Sequence, residues 1–145
     1  MTLVIDTLVI DASVVVKWLV EEELVDEAVG LLGGSSPLRA PDLIVSEVTN
    51  ALWKKVTRGH ITQEQAEGIA AIFPRSPLQL VPSVSLHQRA LGIAIEIGHP
   101  VYDCLYVACA ENVEGRVVTA DRRFHAAVQG GPYAELVRHL SDFSP

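Results

Sequence analysis

The sequence predicts an α/β fold, a three-layer arrangement with a central, mainly parallel sheet and helices on its faces. Two observations carry this. The runs Leu8–Ile10 and 116–121 are apolar and rich in β-branched residues without polar alternation, as expected of strands buried on both faces. Segments of helical periodicity separate the strand candidates, and no hairpin turn signal joins one strand to the next.

Taken in order, the first strand ends at Asp11, and Ser13 is placed to cap a helix over 14–20. The run Val14–Val16 is poor helix material, so that helix depends on packing. An acidic-faced helix follows over 21–34, with Leu24, Ala28, Leu31 and Leu32 at helical spacing and Gly33 and Gly34 ending it. The stretch 40–59 reads as one helix opened by Pro41 and Asp42. Its apolar stripe is Ile44, Val45, Val48, Ala51, Leu52 and Val56. Thr62 with Gln65 forms a capping-box pattern for a helix reaching about Phe73. Residues 78–82 suggest a short strand. Ser85 with Gln88 repeats the capping-box pattern before a helix that buries Leu86, Ala90, Ile93 and Ile97. Residues 101–115 are nearly all apolar, hence an internal helix. A strand over 116–121 ends in an acid, 122–128 reads as a helix, and 136–140 as an edge strand or helix.

A chain of 145 residues with 49% apolar content supports one domain over 1–145, and no repeat or linker divides it. The formal net charge of −7 argues against a general nucleic-acid coat protein, though not against an enzyme with acidic ligands. Cys104 and Cys109, five residues apart on one helix, point about 140° away from each other. They read as small buried hydrophobes in a reducing compartment. No signal peptide is evident, and Asp6, Asp11 and Lys17 interrupt the N-terminal apolar run before it reaches membrane-spanning length. A soluble, cytoplasmic protein is expected.

Most acidic residues have a place on solvated helix faces. Four do not. Asp11 and Asp121 each follow a buried strand, and ligands in open parallel sheets bind at the carboxyl ends of the strands. Glu47 interrupts an apolar helix, with Asn50 nearby on the same side. Asp103 opens the most hydrophobic helix, where N-capping is its simplest structural role. Singly, each has an ordinary structural explanation. Together they repel one another unless a cation lies between them. Oxygen ligands without clustered thiols select Mg²⁺ or Mn²⁺ over zinc. The five histidines are scattered without metal-ligand spacing.

The order VIDAS (9–13), PDLIVSEVTNAL (41–52), YDCLYVACA (102–110) and VVTAD (117–121) resembles the PIN domain, with the VapC toxins of toxin–antitoxin pairs as the most similar subgroup. The resemblance runs from Val9 to about Phe124. It implies a PIN-like fold and a metal-dependent endoribonuclease that leaves 5′-phosphate and 3′-hydroxyl ends. Asp11, Glu47, Asp103 and Asp121 would then be the catalytic metal ligands, Asp121 often acting through metal-bound water. Ser13, Asn50 and Thr119 would be the hydrogen-bonding residues that fix them. Asp6 lies ahead of the strand core and is set aside. The resemblance also implies an RNA substrate, a cognate VapB-like antitoxin and a homodimer. The antitoxin groove would lie between the helices at 13–32 and 42–73.

Backbone phosphates require cations near the acids. Arg122 and Arg123 follow Asp121 directly; Lys54, Lys55 and Arg58 lie at the far end of the Glu47 helix, where they also complement the helix dipole. Trp18 and Trp53 occupy apolar helical positions and read first as core, second as partner contacts. A dehalogenase-like phosphotransferase needs Asp-x-Asp after the first strand, whereas Ser13 stands there. A receiver domain needs a late lysine, and none follows Lys55. The non-enzymatic alternative is a catalytically silent PIN-like binding module or scaffold.

Overall fold

The strands β1 (Leu8–Ile10), β2 (Leu38–Pro41), β3 (Gln79–Val81), β4 (Arg116–Thr119) and β5 (Val137–His139) form one sheet in the order β3-β2-β1-β4-β5. Every neighbouring pair is parallel. These features come from a computed structural model that describes residues 6–143. Seven α-helices accompany the sheet among those residues: α1 (Ala12–Leu19), α2 (Val25–Leu32), α3 (Ile44–Thr57), α4 (Gln63–Ile72), α5 (His87–Ile97), α6 (Val101–Asn112) and α7 (Arg122–Val128).

Alternate strand residues feed two cores. Leu8, Ile10, Leu38, Ala40 and Val118 pack with Val14 and Val15 of α1, Leu31 of α2 and Ile44, Val48 and Leu52 of α3. Val9, Val81, Val117 and Val137 pack with Ala90 and Ile93 of α5, the buried run Cys104–Ala110 of α6, and Phe124 of α7. The result is the expected α/β/α layering. Both cysteines are buried and unpaired, and burial pushes their thiols up to about 11 for Cys104 and about 12 for Cys109. They stay protonated and inert. Among the described residues no helix is long and apolar enough to cross a membrane.

Glycine is required where α6 turns into β4. A Cβ on Gly115 would stand 2.2 Å from the carbonyl oxygen of Thr7. That close approach lets the Arg116 N–H reach the same oxygen at 3.0 Å and start the β1–β4 pairing, Leu8 opposite Arg116.

Several expected boundaries differ. Residues 38–41 are a strand, so the helix expected from 40 begins only at Ile44. Pro41 closes β2, and Asp42 accepts the backbone N–H of Ser83 at 3.0 Å instead of joining the helix. Asp11, not Ser13, is the N-cap residue of α1, with Ser13 already inside the helix. The helix expected from 21 starts at Val25 because Leu24 turns left-handed, φ 61°. The capping box of Thr62 and Gln65 forms, with both reciprocal bonds made. The box of Ser85 and Gln88 does not: Ser83–Ser85 is a 3-10 turn, and buried Leu86 precedes α5 without a side-chain cap. Phe73 belongs to a 3-10 turn beyond α4. β4 stops at Thr119, two residues short of the expected acid. Val45 is exposed and so leaves the expected α3 stripe. Trp18 packs against the first core and donates its indole N–H to the Ala28 carbonyl at 2.7 Å. Trp53 is 61% exposed, which removes the core reading for it.

Candidate metal centre

The chain lays β2 and β3 to one side of β1, then returns to place β4 on the other. The reversal opens a crevice beyond the carboxyl ends of β1 and β4. Asp11 directly follows β1, and Asp121 lies two residues past β4. Glu47 in the first turn of α3 and Asp103 in the first turn of α6 reach the same place from opposite faces of the sheet. Together they line a cavity of about 240 Å³ with Ser13, Asn50 and Lys54. The four predicted acids are thus brought together; Asp6 is exposed and outside this lining.

Each carboxylate is held. Asp11 is 6% exposed, and its Oδ2 accepts from Ser13 Oγ at 2.6 Å and Thr119 Oγ1 at 2.8 Å. Ser13 Oγ in turn accepts the Ala120 N–H at 2.9 Å, and Thr119 Oγ1 accepts the Asp121 N–H at 3.0 Å. Glu47 accepts a 2.5 Å bond from the hydroxyl of fully buried Tyr106, one turn beyond Asp103 on α6. Asp103 Oδ2 lies 2.6 Å from His99 Nε2, and the His99 ring stacks on Phe124 with centroids 6.4 Å apart. Asp121 is the N-cap of α7, its Oδ1 accepting the N–H groups of Arg123 at 2.9 Å and Phe124 at 3.2 Å.

Burial pushes the Asp11 carboxyl up to about 6; the Ser13 and Thr119 bonds oppose this, and the charges of Asp103 and Asp121 add to it. Burial likewise pushes Glu47 up to about 7, against the Tyr106 bond and with help from Asp11 and Asp103. Burial and the neighbouring acids raise the Tyr106 phenol, so it remains a donor. Clustered, partly desolvated carboxylates of this kind favour a divalent cation, and an all-oxygen donor set suits a hard one. Among the described residues no three His, Cys, Asp or Glu side chains are grouped closely enough to hold a metal ion as they stand. The donor types at this cavity, carboxylate oxygens without thiols, are those that a hard divalent cation takes.

Sequence reasoning missed Tyr106, His99 and the entry of Lys54 into the cavity. A tyrosine in an otherwise apolar buried helix needs a partner for its hydroxyl, which was a usable signal for Tyr106. His99 stands four residues before Asp103, a helical spacing. Asn50 lines the cavity, while the group bonded to Glu47 is Tyr106. Arg122 and Arg123 are exposed and outside the cavity lining; Arg123 reaches Asp121 through its backbone.

The sheet order and the acid-lined crevice define an open parallel α/β domain with its site at the carboxyl ends of the strands, and the sequence matches the PIN domain over residues 8–129. The chain belongs to the PIN-domain family. It is 32% identical over 120 residues to Ribonuclease VapC3 of Pyrobaculum aerophilum, covering 80% of this chain and 90% of the relative. Its fold is shared with the sarcin-ricin loop cleaving toxin VapC20 of Mycobacterium tuberculosis, at TM-score 0.63 and 16% identity, covering 83% of this chain and 95% of that one. It is shared also with a chain of a toxin–antitoxin complex from Klebsiella pneumoniae, at TM-score 0.62 and 12% identity, covering 92% and 98%.

Proposed function

We propose that this chain is a VapC-type endoribonuclease, the toxin of a toxin–antitoxin pair, hydrolysing RNA phosphodiesters with Mg²⁺ or Mn²⁺. One observation carries the reading: in a PIN-family chain, Asp11, Glu47, Asp103 and Asp121 arrive at one cavity from two strand ends and both helical layers. These four would hold the metal. When bound, such an ion lowers the pKa of water and neutralises charge on the phosphodiester.

The chain's own residues supply orientation. Ser13 and Thr119 both bond the same oxygen of Asp11, and among the described residues no hydrogen bond engages the other. Tyr106 and His99 do the same for Glu47 and Asp103, and the start of α7 for Asp121. Pre-oriented ligands bind with less reorganisation. Ser13 is the one hydroxyl side chain in the lining, and it is engaged as donor to Asp11 and acceptor from Ala120, so no hydroxyl of the lining is free to act as nucleophile.

An antitoxin segment would dock where helices leave apolar surface. Trp53 lines a depression between α3 and α4 with Leu52, Val56 and Ala66, and Leu19, Ile61, Ile69 and Ile72 line another. A homodimer would draw on the exposed Val84, Leu91, Ile95 and Tyr102.

The test is cleavage of total cellular RNA by the purified chain with Mg²⁺ or Mn²⁺ against EDTA, for wild type and Asp11→Ala. Metal-dependent cleavage absent from the folded variant is expected. Cleavage that persists in EDTA and in Asp11→Ala would overturn the mechanism. No cleavage by wild type in either metal would favour a silent binding module.

A further inference from the structure

Beside the acid cavity lies a second one of about 280 Å³, lined by Lys17, Lys54, Lys55 and Arg58 with a single carboxylate, Glu22. The two cavities adjoin, since Ser13, Val16, Ala51 and Lys54 line both. Four of the chain's 11 lysines and arginines therefore meet at one depression in a protein of net charge −7.

These cations are not equivalent. Glu22 is bridged on both sides, by Lys55 and by Lys17 at 3.4 Å, and Lys17 also donates to the Glu23 carbonyl at 2.7 Å. Lys17 and Lys55 are thereby committed to tying α1 and α3 to the segment between α1 and α2. Lys54 and Arg58 stand four residues apart, on one face of α3 and its C-cap, and both are exposed. Among the described residues neither makes an ion pair. Complementing the dipole at the end of α3 accounts for a cation there. The dipole of α1 and the Glu22 bridge likewise account for Lys17 and Lys55; what remains is Lys54 and Arg58, two like charges four residues apart that among the described residues have no carboxylate of their own. An incoming anion relieves that repulsion, as an incoming cation relieves the repulsion next door.

We propose that this basic cavity is a binding site for nucleic-acid phosphates, holding the RNA backbone immediately to one side of the bond at the acid cavity. Lys54 and Arg58 are the phosphate contacts, and the Lys17–Glu22–Lys55 bridge is the wall that keeps the cavity open. The inference rests on the nuclease reading. Phosphate contacts fix register and affinity and carry no sequence information, so the site positions RNA without choosing it. It also reassigns the contact expected at Arg122 and Arg123, which line neither cavity.

The test is fluorescence anisotropy of a labelled single-stranded RNA oligonucleotide at several salt concentrations. It uses the Asp11→Asn chain, in which turnover is removed, with and without Lys54→Gln and Arg58→Gln. Each substitution is expected to weaken binding several-fold, uniformly across sequences, and each to lower the salt slope by about 0.7. Arg75→Gln, an exposed arginine away from both cavities, is expected to change neither. Unchanged affinity and slope in the double variant, with RNA bound by the parent, would overturn the site and leave the nuclease reading intact. No binding by the parent, together with no cleavage by wild type, would remove both. An equal response to a polyglutamate peptide would mark the cavity as a site for acidic polypeptide and overturn the assignment to RNA.

Discussion

Replacing Asp11 by asparagine is expected to stabilise the metal-free protein at pH 8. The Asp11 carboxyl has a pKa of about 6 in the fold against 3.8 for a free aspartate, with burial the leading cause. The native state therefore binds this proton more tightly than the unfolded chain. The stability it lends is fully present below pH 3.8 and is lost as pH rises through about 6. A gap of roughly two units corresponds to about 3 kcal/mol at pH 8. Asparagine keeps an acceptor for Ser13 and Thr119 but adds amide protons that need partners, which leaves a net gain of about 2 kcal/mol. For a chain of this size that is about 4–8 °C in Tm. The assay is thermal melting followed by circular dichroism in EDTA, for wild type and variant, from pH 4 to pH 8. The gain should shrink steadily below pH 6. With excess Mg²⁺ at pH 8 the order should reverse, because only wild type gains binding energy. A variant less stable than wild type in EDTA at pH 8, or one with the same gain at every pH, would refute the electrostatic argument.

Other outcomes follow from the groups that hold the acids. Tyr106→Phe removes the bond that opposes the rise of the Glu47 carboxyl, so the acid limb of the cleavage–pH profile is expected to move to higher pH. Native stability should fall by about 1 kcal/mol in urea titrations, and an unmoved limb would deny Tyr106 its part. His99→Ala is expected to weaken Mn²⁺ binding about tenfold by calorimetry, with His99→Gln recovering part of the loss. Equal affinities in all three proteins would show that Asp103 needs no support from His99.

Much of this arrangement was legible in the sequence because burial leaves a compositional trace. β1 and the central residues of β4 and α6 are apolar and buried, so an acid near their ends stood out against its surroundings. β2 left no such trace. Its four residues include Arg39 and end in Pro41, and a run this short merges with the helix after it. The α2 start was hidden for another reason: Leu24 takes a left-handed backbone that neither its side chain nor the acidic run before it announces. Within the site, the four acids and the Ser13 and Thr119 hydroxyls that hold Asp11 were visible, but Tyr106 and His99, which hold Glu47 and Asp103, were not. The Tyr106 hydroxyl crosses to Glu47 from 59 positions away, and Thr119 reaches Asp11 across 108. Contacts of that range are set by the parallel register of β1 on β4 and by the docking of α3 and α6, which periodicity does not encode.

That α3 and α6 approach from opposite faces has a consequence for when the protein becomes active. A chain with one helical layer docked lacks either Glu47 or Asp103, however well its sheet has formed. Bringing the last acid in also brings the last increment of repulsion, since Asp11 and Glu47 are each raised by their acidic neighbours. On the nuclease reading, a molecule with either helical layer undocked lacks one of the four acids and cannot cleave.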